Sequence, residues 1–113
     1  MVRTVFGAFA VGAIVVSVSV APKVFAQGSA GEKLFTEQKC TLCHSLAGKG
    51  NAKGPLDEVG SKLTADEIRA WISDAKAMTA KTQATRKPEM KAYTLSKGDV
   101  DALVTYLSAM KKK

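Results

Sequence analysis

The chain has 113 residues, enough for one small domain and not two. Seventeen basic residues against ten acidic ones give a net charge of +7, which suits an acidic partner and governs encounter rate more than fold. Two cysteines and one histidine are too few for a four-ligand structural zinc site, and nothing in the pattern builds a specific nucleic-acid site.

Arg3 precedes a long apolar stretch from Val5 to Ala21. Pro22 and Val24-Phe25-Ala26 come next, and the sequence turns polar at Gln27. A charged start, an apolar middle and a small-residue end read as a secretory signal over residues 1–26, cleaved after Ala26, with residues 27–113 as the domain. The competing reading is an uncleaved membrane anchor, since the stretch is near the lower limit of length for a spanning helix. Cleavage would remove Arg3 and Lys23 and leave a moderately basic protein that is periplasmic and soluble.

Three helices are expected. The first covers Gly31 to Gln38, with Gly31, Leu34 and Phe35 on one face, Ser29 as N-cap and Glu32 completing a capping box. The second runs from about Ala65 to Met78, with Thr64 and Glu67 as a capping box and Ile68, Trp71, Ile72 and Ala75 as its apolar stripe. The third runs from about Lys97 to Met110, capped by Ser96, with Val100, Leu103, Val104 and Leu107 as its stripe. Segments 48–60 and 79–94 are rich in breakers and show no period-2 alternation, so the fold class is all-α with two long irregular loops. Loops that long need something to order them, and a large flat apolar cofactor would do so.

Cys40-Thr41-Leu42-Cys43-His44 matches the pattern by which such a cofactor, a c-type haem, is attached. Two thiols one helical turn apart can each form a thioether with one vinyl group of a haem, and the following imidazole is then placed to bind iron. A redox dithiol would normally open a helix in a βαβ setting, and no strands are visible; a plain local disulfide is the other reading. His44 is the only histidine, so the sixth iron position falls to Met, Lys or an open site. Met90, two residues after Pro88 in a loop, is the favoured ligand over Met78 and Met110, which lie in or near helices. An open site would instead suit a gas sensor or a peroxidase-like protein.

With these residues in view, the sequence resembles the class I c-type cytochromes of the small bacterial single-haem type. The resemblance covers residues 31–111 through Gly31 and Phe35, Cys40-x-x-Cys43-His44, Gly54-Pro55, Lys87-Pro88-Glu89-Met90 and Leu103, Tyr106 and Leu107. It departs in Glu89, where many relatives have Pro or a small residue, and in a longer, more polar 78–87 stretch. The resemblance implies a cytochrome c fold, with three main helices and long loops around one covalent haem c. The first and last helices would cross at Gly31, with Gly31 and Phe35 meeting Leu103 and Tyr106. It implies that the Pro55 carbonyl accepts the His44 N–H, and that Trp71 lies beside the haem propionates, with a plain core role as the alternative. It implies a monomeric single-electron carrier, not an enzyme. Its partners would be periplasmic or membrane-bound redox proteins with acidic docking surfaces, met by Lys39, Lys49, Lys53, Lys87 and Lys91. A membrane would enter only through those partners or an uncleaved signal.

Overall fold

The structure is a computed structural model and describes Gly7, residues 10–18 and residues 24–113. Arg3 and much of the expected signal lie outside the described residues. Residues 10–18 carry no regular structure, and no helix among the described residues is long and apolar enough to cross a membrane.

Helix α1 spans Val24–Glu37. It starts before the expected Ser29 cap, so Ser29 stands inside the helix and does not begin it. The reason is local: no proline or paired glycine interrupts Val24 to Gly28, and an unbroken stretch lets the helix propagate backwards. Lys39, at φ 57°, turns the chain out of the helix.

A single 3₁₀ turn, Cys40–Leu42, comes next, and the His44 N–H returns 2.9 Å to the Cys40 carbonyl. Two-residue strands β1 (Ser45–Leu46) and β2 (Lys49–Gly50) then pair antiparallel, in the register Ser45 with Gly50 and Leu46 with Lys49. Ala47 and Gly48 between them both have positive φ, at 50° and 78°, as a primed hairpin turn requires. Ala47 is held there by its N–H, which donates 2.8 Å to Asp57 Oδ1. This hairpin overlaps the start of the segment expected to be irregular, 48–60; two-residue strands are too short to show alternation.

A short helical turn, α2 (Val59–Lys62), precedes the expected second helix, which is divided into α3 (Ala65–Ser73) and α4 (Ala75–Thr82). Thr64 and Glu67 form the full capping box at the start of α3. Asp74 breaks the run with φ −145° and ψ 57°, as suits a residue that competes poorly in helix interiors. Helix α5, Lys97–Ser108, begins at the Ser96 cap, where Ser96 Oγ accepts from the Asp99 N–H. The all-α class stands, with five helices among the described residues in place of the expected three.

The core lies where α1 and α3 pack on α5, and it gathers Phe35, Leu46, Val59, Ile68, Ile72, Val100, Leu103, Val104 and Leu107. Helices α1 and α5 meet at Gly31, where any Cβ would collide with Tyr106 and the Ala102 carbonyl. Phe35 meets the Tyr106 ring edge to face, with centroids 6.3 Å apart. Arg69 of α3 and Lys97 of α5 share the carboxylate of Asp101 at 2.6 and 2.7 Å.

Candidate haem site

A cavity of about 530 Å³ opens beside this core. Helices α1 and α5 contribute Phe35, Leu103 and Leu107 to its lining, and α3 contributes Ile68, Trp71 and Ile72. Leu56, Val59 and Leu63 line it from around α2. Cys40, Cys43 and His44 come from the 3₁₀ turn and the two residues beyond it, and Met90 and Tyr93 from the irregular segment after α4. The lining is mostly hydrocarbon, and its polar groups are few and concentrated at these last two segments, the usual make-up of a cofactor site.

The two thiols are free, Cys40 half-buried and Cys43 exposed. Burial raises the Cys40 pKa, its backbone hydrogen bond lowers it, and the neighbouring Cys43 raises it further. The pair sits on a turn braced by Asn51. The Asn51 N–H donates to the Thr41 and His44 carbonyls at 3.0 and 3.1 Å, and its Nδ2 donates to the Leu42 carbonyl at 3.1 Å.

His44 Nδ1 lies 3.1 Å from the Gly54 carbonyl. A carbonyl can only accept, so Nδ1 carries the proton and Nε2 is left with a free lone pair. Burial lowers the His44 pKa, the Gly54 carbonyl opposes that, and the charge of Arg86 lowers it again. The ring thus favours the neutral form that a metal ligand needs.

The acceptor is Gly54 and not the expected Pro55. Ser45 bridges to Pro55, with the Ser45 N–H on the Gly54 carbonyl at 3.0 Å and the Leu56 N–H on the Ser45 carbonyl at 2.9 Å. Carbonyls alternate along such an extended run, so the Gly54 oxygen faces Ser45 and His44 while that of Pro55 points away. Pro55 is exposed and does not line the cavity. Gly54 must be glycine for space, since a Cβ would strike the Cys43 carbonyl and the Arg86 guanidinium.

The other expected residues divide. Trp71 and Met90, both partly buried, line the cavity. Met78 is buried in α4 away from it, and Met110 packs against the core. Of the five lysines, Lys39 and Lys91 reach the cavity, with Lys91 Nζ 5.4 Å from the centre of the Tyr93 ring, and Lys87 pairs with Glu89 at 2.6 Å. Lys49 and Lys53 stand exposed outside it. Sequence reasoning missed Arg86, Tyr93 and Asn51. Arg86 and Tyr93 lie in a polar stretch without periodicity, and Asn51 carries no signal beyond its place in a turn.

The residues present suit a flat apolar cofactor. Two free thiols and an imidazole nitrogen border a hydrocarbon-lined space that also receives a thioether. Among the described residues, no three His, Cys, Asp or Glu side chains converge as a site for a bare ion.

Comparison with known proteins agrees. Over 90 residues the chain is 28% identical to a cytochrome c oxidase subunit 2 of Alkalihalophilus pseudofirmus, a match covering 72% of this chain and 25% of that protein. The chain thus spans about a quarter of that relative's length. No solved structure matches it. The family model described as cytochrome c matches residues 28–111, the stretch that builds the core and the cavity. The chain therefore belongs to the cytochrome c family, and its cofactor is covalently bound haem c with its iron.

Proposed function

We propose that the protein is an exported mono-haem carrier that passes single electrons between periplasmic or membrane-bound redox partners. Cys40 and Cys43 would hold the haem through thioethers, and His44 Nε2 and the Met90 thioether would be the protein's ligands to its iron. The observation that carries this reading is that all four side chains border one hydrocarbon-lined cavity, while Met78 does not. Haem c supplies one-electron exchange at its iron, and a His/Met pair raises its potential.

The protein's own residues hold and insulate. Gly54 orients the imidazole, Trp71 and Ile72 exclude water from one wall, and Lys39 and Lys91 put positive charge at the cavity. That charge steers an acidic partner toward it. With His44 and Met90 both given to the iron, the group would supply electron exchange alone, and the protein acts as a carrier and not a catalyst. Residues 1–26 act as the export signal, leaving a soluble monomer.

The test is a visible spectrum of the holoprotein with and without reductant and carbon monoxide. Wild type should not bind carbon monoxide when reduced, and Met90→Ala should keep its haem, bind carbon monoxide and show a sharply lower potential. Retention of the ligation spectrum in Met90→Ala, with its loss in Met78→Ala, would overturn the assignment. Cys40→Ala and Cys43→Ala should lose covalent haem on a denaturing gel.

The similarity to a cytochrome c oxidase subunit 2 supports a second reading, in which the chain is the cytochrome part of a larger membrane oxidase. A mature N-terminus at Gln27 and purification free of other subunits decide for the separate carrier; a retained Met1 or Val2 with co-purifying subunits decides for the second.

A further inference from the structure

Among the described residues, Arg86 is the one guanidinium lining the cavity. Its side chain lies across Gly54, where an added Cβ would strike Nη1 and Cζ, and Gly54 is the residue whose carbonyl holds the His44 ring. Arg86 therefore reaches from the segment that carries Met90 to the segment that orients His44. Little else seats the Met90 segment there. Residues 84–92 are exposed except for Met90, and the backbone returns to the core where the Tyr93 N–H meets the Ile72 carbonyl at 2.8 Å.

Its charge is also fixed. Lys87 next to it pairs with Glu89, but among the described residues Arg86 forms no ion pair. A guanidinium does not lose its proton in proteins, so this charge is constant.

We propose that Arg86 tunes the electron-transfer site: laid over Gly54, its fixed positive charge favours the reduced site over the oxidised one. The proposal rests on the His44 and Met90 ligand reading. One electron arrives from a donor protein and leaves to an acceptor protein, and no bond is made or broken. The reduced site carries one positive charge less, so a fixed cation beside it repels it less. Gly54 is the structural condition, because any side chain there would displace the guanidinium.

The test is the midpoint potential of the holoprotein by equilibrium redox titration at low ionic strength, with Arg86→Gln and Arg86→Lys beside wild type. Arg86→Gln should lower the potential, and Arg86→Lys should stay close to wild type. Added salt should narrow the gap, because the side chain is exposed. An unchanged or raised potential in Arg86→Gln overturns the proposal, and so does a Lys variant that falls as far as the Gln variant. Met90→Ala, read by its carbon monoxide binding, reports on the ligand set separately. If it behaves as wild type the ligand reading fails, and the Arg86 comparison still decides this proposal by its own numbers.

Discussion

Two glycines decide how closely the backbone can approach itself. At Gly31 the missing side chain lets α1 rest on Tyr106 and the Ala102 carbonyl; at Gly54 it lets a carbonyl reach His44 beneath Arg86. Gly31→Ala forces a methyl into backbone and ring, neither of which yields easily. It should cost about 1–3 kcal/mol, as overpacking does, and lower the melting temperature by roughly 5 °C or more. Calorimetry of the holoprotein checks this. Residues of this kind were only partly legible in the sequence. Cys40, Cys43 and His44 announce themselves because their spacing is their chemistry. The Gly54 carbonyl does not, because backbone direction depends on pairing with Ser45, and an adjacent proline draws attention one position too far. Arg86 was illegible for a similar reason: its partner is a gap in the backbone more than thirty positions away.

Elements were more readable at their starts than in their extents. The Thr64–Glu67 box and the Ser96 cap form as read, since both use contacts within four residues. The apolar stripe of α5 also forms as read and, with Ile68 and Ile72 of α3, supplies most of the core, while Trp71 lines the cavity and Ala75 falls in α4. The Asp74 break was missed, because the apolar positions on both sides still fit one helical period. Between elements, Asp101 joins α3 to α5. Hydrogen bonds from Lys97 and then Arg69 hold its carboxyl below the ordinary value. A carboxyl depressed in the folded state contributes stability that is full above its unfolded pKa and drains as pH falls through the folded one. Urea midpoints should therefore drop as pH falls below the ordinary aspartate range. Asp101→Asn should be less stable at neutral pH and show a shallower acid decline; the same decline in both would remove Asp101 from the account.

On the scale of the whole molecule, the cavity is large for so small a core. Without a bound group its hydrocarbon lining stands open to water, and so small a domain loses much of the apolar burial that its folding depends on. The whole stability of a small domain is typically about 5–15 kcal/mol. Protein denied its haem by Cys40→Ala with Cys43→Ala should therefore show reduced helicity and no cooperative melting by circular dichroism. A sharp transition near that of the holoprotein would show that the helices stand without the cofactor. The joining of α1 to α5 has a further consequence. Gly31 can find its seat only once Tyr106 has been synthesised, so the crossing cannot close before that point of synthesis. The Cys40–His44 turn is synthesised long before that moment, which leaves an interval in which the thiols are present but the walls around them have not assembled.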